Sequence, residues 1–374
     1  MKILHIITGL ETGGAENALL NILQGGLAKQ HSNTVISLNG LGTVGPKIRT
    51  LGVDVLDINM KSRIPKIANL RAIKNITQGI NPDVIQGWMY HGNLAAQYAS
   101  KHSSEECRTI WNVRHSLYDL KHEKLFTRQI IRMNKLLSKK PDAIIYNSKV
   151  SKKQHEKFGF CSKQGRVIPN GVSLDLFTRS NDVRVQERKT LQISEDSIVI
   201  GHVARLHPIK DHENFLRAVT KILNQFENVE IIMIGPGVTE DASNVSKYKD
   251  DRIHMLGERD DVCNLMNTMD IFCLSSKSEA FPNVLIEAMS LGIVCVATDV
   301  GDSRYILDET GIVVPPEDEH LLHDGLHKMI ECGSEELRNR GLGARCRVEK
   351  YFSIHTTVKK YINLYEALLH EGAR

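Results

Sequence analysis

Residues 2–16, KILHIITGLETGGAE, contain the pattern that decides the fold. The apolar run at 2–8 predicts a short strand, and a turn containing Gly9, Gly13 and Gly14 follows it directly. Apolar residues then recur at helical spacing, which predicts a helix over 15–29. A strand, a glycine turn and a helix in this order are typical of the first unit of a parallel α/β sheet.

The same alternation continues through the first half of the chain. Further strands are predicted at 34–38, 53–58, 84–88, 109–113, 143–147 and 166–172, and helices at 66–79, 92–102 and 122–139. Alternating strands and helices indicate a parallel sheet that is covered on both faces.

The second half repeats the pattern. A strand at 198–204, a loop at 205–210 and a helix at 212–226 open it, and strands follow at 229–234, 253–256, 271–274, 294–297 and 311–313. The sequence therefore predicts an α/β protein with two Rossmann-like parallel-sheet domains, at 1–172 and 190–350. The polar run at 178–189 is assigned to the linker, and a C-terminal helix within 351–374 is expected to pack back on the first domain.

Length and composition agree with this organisation. The 374 residues exceed one ordinary core, and contents of 41% hydrophobic and 25% charged residues are typical of a globular protein. The seven cysteines are scattered and show no C-x2-C spacing, so neither a disulfide framework nor a zinc site is indicated. No apolar stretch approaches the roughly 18 residues of a transmembrane helix, and we expect a cytoplasmic protein.

Charge is divided unevenly along the chain. Residues 1–180 hold 26 Lys and Arg against 12 Asp and Glu, a balance of +14, whereas residues 181–374 hold 22 against 32, a balance of −10. One interpretation is that the first half faces an anionic surface such as a membrane, and the other is uneven surface decoration.

The stretch 278–292, SEAFPNVLIEAMSLG, carries two carboxylates in different settings. Pro282 stops a helix from starting earlier and Asn283 is expected to cap it, so Glu279 lies in the loop and Glu287 on the helix. The amides of Phe281, Asn283 and Val284 would then lie at a helix N-terminus, which favours a phosphate. The alternative is a capped amphipathic helix with two solvated glutamates.

Two cations flank Pro208 in the loop after the first strand of the second half. Arg205 and Lys210 lie where open α/β sheets bind ligands, and two fixed cations there suit a diphosphate, although a solvated loop is the alternative. The chain contains no D-x-D motif, and the first-domain spacing G-x3-G-G is not the dinucleotide fingerprint.

An ordered set of motifs resembles glycosyltransferase family 4 over nearly the whole chain. The set comprises GLETGGAE, PNGV, GHVARLHPIKD, IGPG, LGERDDV and SEAFPNVLIEAMSLG. The resemblance implies the GT-B architecture, in which two Rossmann-like domains face each other across a cleft, and transfer of a sugar from a nucleotide-sugar with retention of anomeric configuration. A UDP-sugar is favoured over a GDP-sugar, and neither a metal nor another cofactor is implied.

The resemblance also implies residue roles. Glu279 corresponds to the acid near the donor sugar, Glu287 to the acid that binds the ribose hydroxyls, and Arg205 with Lys210 to the diphosphate-binding pair. The remaining expected contacts are His91 near the transferred sugar, Gly13 and Gly14 over the donor, Arg114 or His115 near the acceptor, and substrate-binding positions at Asn170, Gly235, Phe281, Pro282, Asn283 and Val284. Ser173 departs from the family's usual PNGVD, which leaves the role of that acid open.

The run 121–140 combines apolar and basic residues with Glu123 as the single acid. A basic amphipathic helix can bind anionic lipid, and a core helix with a basic solvent face is the alternative. With the family's lipid-linked or lipopolysaccharide acceptors, the membrane interpretation is favoured: peripheral association with the inner face of the cytoplasmic membrane, an acceptor held in the first half, and no nucleic-acid partner.

Two other functions remain open. One is a nucleotide-sugar 2-epimerase of the same architecture, which needs no acceptor. The other is a nucleotide-sugar binding module without catalysis.

Overall fold

The computed structural model describes residues 1–60, 66–118, 120, 124–242 and 245–371. The chain forms two compact units, Met1–Gly171 with Ile354–Arg374 and Val172–Ser353. We call them unit 1 and unit 2.

Unit 1 contains a parallel sheet of seven strands in the order β3-β2-β1-β4-β5-β6-β7. The strands are β1 (Lys2–Ile7), β2 (Ser32–Ser37), β3 (Asp54–Asp57), β4 (Val84–Trp88), β5 (Arg108–Val113), β6 (Ala143–Tyr146) and β7 (Gly165–Val167). The helices are α1 (Gly14–Ile22), which a π-helical turn at Leu23–Leu27 joins to α2 (Ala28–Gln30), then α3 (Val44–Arg49), α4 (Ile67–Ile80), α5 (Met89–Ala99), α6 (Leu125–Leu137) and α7 (Lys149–Phe158).

Unit 2 contains a parallel sheet of six strands in the order β10-β9-β8-β11-β12-β13. The strands are β8 (Ile198–Val203), β9 (Val229–Ile234), β10 (Ile253–Met255), β11 (Ile271–Leu274), β12 (Val294–Thr298) and β13 (Ile312–Val314). The helices are α8 (Asn181–Thr190), α9 (His212–Leu223), α10 (Val262–Met266), α11 (Asn283–Ser290), α12 (Ser303–Leu307), α13 (Glu319–Glu331) and α14 (Gly333–Tyr351).

Both faces of each sheet are buried, as the near-continuous apolar strands require. In β1, Ile3 and Ile7 belong to one apolar cluster, and Leu4 and Ile6 belong to the cluster on the opposite face. This alternation follows from the two-residue repeat of a strand. The predicted fold class, two parallel-sheet α/β domains of Rossmann type, is confirmed.

Each sheet has one point where the strand order reverses. In unit 1 it lies between β1 and β4, and in unit 2 between β8 and β11. Loops that leave the carboxyl ends of two such strands diverge to opposite faces and leave a crevice, which is the usual ligand site of an open α/β sheet.

The polar run at 178–189 is not a linker, and this prediction was wrong. Residues from Asn181 onward form α8, which Arg188 fixes to unit 2 by donating to the Thr268 carbonyl at 2.8 Å and to Asp270 at 2.7 Å. Only 1% of Arg188 is exposed. A helix held by arginine hydrogen bonds lacks the apolar periodicity that would have identified it.

The C-terminal helix α15 (Ile354–Glu371) belongs to unit 1. The Asn112 amide of β5 donates to the Tyr361 hydroxyl at 2.8 Å, and Arg108 Nε donates to the Leu368 carbonyl at 3.0 Å. Ile354, at the start of α15, packs against Gly25 in the π-helical turn. A Cβ on Gly25 would lie 2.4 Å from the Ile354 side chain, so this close packing depends on a glycine at position 25.

Candidate functional site

In unit 2 the predicted site residues lie at the carboxyl ends of β8 and β11, the strands that flank the reversal. Arg205 and Lys210 lie in the segment between β8 and α9, and Glu279 lies between β11 and α11. Two backbone-directed hydrogen bonds join these segments: Ser275 Oγ donates to the Lys210 carbonyl at 2.8 Å, and the Lys277 amide donates to the Ile209 carbonyl at 2.8 Å.

Lys210 and Glu279 form an ion pair. Lys210 Nζ lies 2.5 Å from Glu279 Oε1, and the side chains are 25% and 15% exposed. Ser276 Oγ donates to the same carboxylate oxygen at 2.8 Å, which fixes its orientation. The pair therefore lies at the mouth of the crevice, partly shielded from water.

Sequence reasoning missed the serines that support this pair. His202 Nε2 lies 3.1 Å from Ser275 Oγ, so the histidine donates to a hydroxyl that itself donates to the Lys210 carbonyl. Burial, with the nearby His212 and Lys210, lowers the pKa of His202 well below its usual value, so its ring is neutral. Serines in SSKSEA, between a buried strand and a helix, were the available signal.

Arg205 is exposed and forms no ion pair with any residue that the structure describes. Its loop approaches Gly235 closely: the Leu206 amide donates to the Pro236 carbonyl at 2.8 Å, and a Cβ on Gly235 would lie 2.2 Å from the Ala204 carbonyl oxygen. With φ at +150°, residue 235 requires glycine. A free cation thus lies beside a glycine loop at the carboxyl edge of β9.

The motif at 278–292 differs from its prediction in one detail. Pro282, not Asn283, occupies the cap position, and α11 begins at Asn283 without a side-chain cap. The extended backbone of Pro282 (φ −75°, ψ 96°) already ends the loop, so no side-chain acceptor is required there. The first amides of α11, including those of Asn283 and Val284, still have the helix N-terminal geometry that favours an anion.

Glu287 lies in the second turn of α11 and is partly buried. Burial raises the pKa of this carboxyl to about 7. In contrast, Phe281 is buried with its ring 5.9 Å from that of Phe352, and Pro282 is buried as well. Any contact of Phe281 with a ligand would therefore involve its backbone.

In unit 1 the predicted residues follow three neighbouring strands, β1, β4 and β5, except for Asn170, which follows β7. Gly13 precedes α1, and Gly14 is its first residue. A Cβ on Gly13 would lie 2.3 Å from Glu16 Oε2, and one on Gly14 would meet nothing within 4 Å. The Glu16 carboxylate therefore lies against the N-terminal turn of α1, where it accepts hydrogen bonds from the backbone of Ala15 and Glu16, and only Gly14 is open on its side-chain side.

His91 lies in the first turn of α5, directly after β4. A Cβ on Gly92 would lie 2.4 Å from the Ile6 carbonyl oxygen, so glycine lets α5 pack tightly on β1. The His91 ring stacks on Phe126 with centroids 6.1 Å apart, and burial lowers its pKa. Its imidazole is thus neutral near pH 7.

The structure places Arg114 beside Asn170, and their contacts join separate elements of unit 1. The Arg114 guanidinium donates to Asn170 Oδ1, to the Tyr361 hydroxyl at 3.1 Å and to Asn112 at 3.3 Å, and it lies 5.5 Å from the Trp88 ring centroid. These contacts link β5, the PNGV turn and α15. A positioning role accounts for them without an acceptor.

Comparison with known proteins places this geometry in a class. Residues 12–176 match the family model described as Glycosyltransferase Family 4, and residues 197–332 match Glycosyl transferases group 1. The chain is 24% identical over 318 residues to the putative glycosyltransferase EpsF of Bacillus subtilis, covering 80% of this chain and 79% of that one. It is 26% identical over 216 residues to phosphatidyl-myo-inositol mannosyltransferase of Mycobacterium tuberculosis, covering 55% of each chain.

Solved structures share the fold across almost the whole chain. Anabaena HepE in complex with UDP and glucose superposes with a TM-score of 0.81 at 19% identity, covering 98% of this chain and all of that one. The lipopolysaccharide-biosynthesis glycosyltransferase WaaG superposes with a TM-score of 0.72 at 15% identity, covering 97% and 99%. The protein is thus a glycosyltransferase of GT-B type. One model matches its N-terminal half and the other its C-terminal half, which makes it a glycosyltransferase of the family 4 type.

Proposed function

We propose that the protein transfers a sugar from a UDP-sugar to a lipid-linked saccharide or lipopolysaccharide-type acceptor, with retention and without a metal ion. The observation that carries the proposal is the Lys210–Glu279 ion pair, which lies with the exposed Arg205 and the N-terminus of α11 at the carboxyl edge of the unit 2 sheet.

On the donor side, these groups suit a diphosphate. A departing nucleoside diphosphate gains negative charge as the bond to the sugar breaks, and preorganised cations lower that barrier. Arg205, Lys210 and the α11 amides would supply the positive charge, with Glu279 holding Lys210 before the donor arrives. Glu287, on the helix, would accept hydrogen bonds from the ribose hydroxyls.

For the reaction itself, the acceptor oxygen forms a bond to the anomeric carbon as the bond from that carbon to the diphosphate oxygen breaks. The acceptor proton passes to the departing phosphate oxygen, so no protein side chain forms a covalent bond to the sugar. Arg205 and Lys210 stabilise the leaving group, and Glu279 orients the reacting sugar.

The choice of substrates has separate support. HepE, which shares the fold, was solved with UDP and with UDP-glucose, which favours a uridine donor. The mannosyltransferase and WaaG act in glycolipid and lipopolysaccharide synthesis, which favours a lipid-bearing acceptor. Within the described part of the chain, every helix is too short or too polar to cross a bilayer. Contact with the inner face of the cytoplasmic membrane would therefore use a surface helix, and α6 is the candidate.

The proposal is tested by incubating the purified protein with radiolabelled UDP-sugars and GDP-sugars, each with and without a bacterial lipid extract. We expect label to enter lipid from one UDP-sugar, with slow hydrolysis when lipid is omitted. Conversion of the donor to an epimer without lipid would indicate the 2-epimerase, and binding without turnover would indicate a binding module.

A further inference from the structure

Unit 1 contains an apolar cavity of about 350 Å³ that the catalytic scheme does not use. Residues of α4, α5 and α6 form most of its walls, among them Leu70, Ile73, Leu94, Ala95, Phe126 and Met133. The single side chain with a ring nitrogen in the described lining is His91. Tyr98 also lines the cavity, and apart from the polar atoms of His91 and Tyr98 the lining side chains are apolar, which favours hydrocarbon over water.

The size of the cavity suits a chain. An apolar cavity of about 150 Å³ stays dry and binds benzene, so 350 Å³ has room for on the order of a dozen carbon atoms. Met133 lines the cavity and is 47% exposed, so the cavity opens to solvent beside α6.

The surrounding charge is positive. None of α4, α5 and α6 contains Asp or Glu, whereas α4 carries Arg71 and Lys74, and α6 carries Arg128 and Arg132. An apolar cavity among helices with cations alone is complementary to an amphiphile with a hydrocarbon tail and an anionic head. A neutral apolar ligand would need no such charge.

The position of the cavity connects it to the reaction. His91 lines it and lies in the first turn after β4, at the point where the strand order of unit 1 reverses. Its ring stacks on Phe126, which also lines the cavity. The inner end of the cavity therefore lies beside the edge of the sheet where an acceptor sugar would be held.

We infer that this cavity binds the hydrocarbon chain of an anionic lipid acceptor, so that unit 1 recognises the acceptor by its tail as well as by its sugar. The inference rests on the proposed function for the identity of the ligand, and on the cavity for its chemistry. Tail recognition would raise the affinity for lipid-borne acceptors over free oligosaccharides of the same structure.

The test is calorimetric titration of the full chain with butyl, hexyl, octyl and decyl phosphate, each below its micelle concentration, and with inorganic phosphate. Burying each added methylene should tighten binding roughly three- to fourfold. Inorganic phosphate should give no comparable binding. Equal affinity along the series would overturn the inference.

Two variants assign the gradient to the cavity. Ala95→Phe fills it from α5 and should abolish the chain-length dependence. Leu136→Ser is the matched control, since Leu136 lies on α6, is 78% exposed and is not among the lining residues, and it should keep the full gradient. If Ala95→Phe fails to fold, Met133→Glu provides a second variant, since Met133 is half-exposed. The new carboxylate places a negative charge at the opening, where it repels the alkyl phosphate, and should likewise abolish binding. A gradient that survives in the folded variants contradicts the inference.

Other occupants predict different results. If a bulk membrane lipid filled the cavity, the Ala95→Phe variant would pellet less than the wild type with phosphatidylglycerol vesicles. Our inference instead predicts that the variant pellets like the wild type. If a second copy fills it, the wild type should sediment as a dimer that Ala95→Phe dissociates. The titrations need neither donor nor turnover, so they test the tail site separately from the proposed function. A chain-length gradient without sugar transfer would contradict the proposed function alone. Sugar transfer without the gradient would contradict the tail site alone.

Discussion

Lys210 and Arg205 are the residues on which the proposed diphosphate chemistry depends. Because each would stabilise charge that grows only as the donor bond breaks, Lys210→Ala or Arg205→Ala should lower turnover by ~10² or more without unfolding the protein. Steady-state kinetics with a circular dichroism spectrum checks this. Lys247→Ala is the control, since Lys247 also pairs with a carboxylate, Glu213 at 2.8 Å, but on an exposed surface. Near-normal turnover in folded Lys210→Ala would remove this residue from the mechanism.

Substitutions of Glu279 and of Glu287 should impair the protein in different ways. Glu279 pairs with Lys210 and places a negative charge beside the proposed diphosphate site, so Glu279→Gln should bind UDP as tightly as the wild type or more tightly while kcat falls. Glu287→Gln should weaken UDP binding by about 1 to 3 kcal/mol, since charged hydrogen bonds to the ribose are lost. Calorimetric titration with UDP measures both affinities. The reverse order of effects would contradict these separate roles.

The raised pKa of Glu287 should make the stability of the protein depend on pH. Burial raises its folded pKa from 4.5 to about 7, so the unfolded chain releases this proton first as the pH rises. Stability should therefore fall between about pH 4.5 and pH 7, by roughly 3 kcal/mol at most, and be unaffected by this group outside that window. Glu287→Gln should melt at a higher temperature than the wild type at pH 8 and at nearly the same temperature at pH 4.5.

Glu213 provides the control for this effect, because its pKa is shifted in the opposite direction. Hydrogen bonds from Lys247 and Arg217 lower the pKa of Glu213, so Glu213→Gln should be neutral or destabilising at pH 8. Thermal melts of both variants at the two pH values make the comparison. A melting temperature of Glu287→Gln that is unchanged at pH 8 would show that Glu287 ionises without cost in the folded protein.

At the scale of elements, strands were predictable and polar helices were not. Buried parallel strands such as β4 and β9 are short apolar runs between turn residues, and they lie within a residue or two of their predicted limits. Helices α7, α8 and α14 bury few apolar residues and gave no clear periodicity. Arg188 shows why: hydrogen bonds to distant carbonyls, which no local pattern encodes, fix α8 in place.

Helix α6 is the element assigned to the membrane surface. It keeps Leu125, Met133 and Leu136 at 76%, 47% and 78% exposure, with exposed Lys124 and Arg132 among them, while Ile130 and Ile131 face the core. Lys121 and Glu123 of the predicted helix lie outside the described residues. An exposed apolar stripe with basic neighbours can insert into an anionic bilayer surface.

We expect the protein to pellet with phosphatidylglycerol vesicles, to remain in solution with phosphatidylcholine vesicles, and to be released by salt. Arg132→Glu reverses one charge and should weaken vesicle binding about tenfold or more, and Leu136→Ser should weaken it as well. Leu321→Ser removes a leucine that is 40% exposed on α13 of unit 2 and should have no effect. Equal pelleting with both lipids would make α6 an ordinary surface helix.

At the scale of the whole molecule, the fold class and the family were predictable, and the arrangement of the site was predictable in part. The repeated strand–loop–helix order determines two parallel sheets and places Arg205, Lys210 and Glu279 on loops beside one reversal point. The sequence did not predict that Lys210 and Glu279 pair directly, or that Ser275 and Ser276 support them. These contacts depend on side-chain rotamers and loop conformations, which spacing along the chain does not determine.

The distribution of charge gives the last prediction. Residues 181–374 carry a balance of −10, and within this acidic half Arg205, Lys210 and the α11 amides provide positive charge at the carboxyl edge of the unit 2 sheet. These charges belong to the chain itself, so under the proposed scheme the site would need no imported cation to bind or release the diphosphate. Sugar transfer should therefore continue undiminished in excess EDTA, measured against the same reaction with Mg²⁺. A second arm uses Lys210→Ala: if the lysine replaces a metal, Mg²⁺ should restore little of its lost turnover. Complete loss of wild-type transfer in EDTA, with recovery on adding Mg²⁺ or Mn²⁺, would contradict the metal-independent scheme and leave Arg205 and Lys210 as binding residues alone.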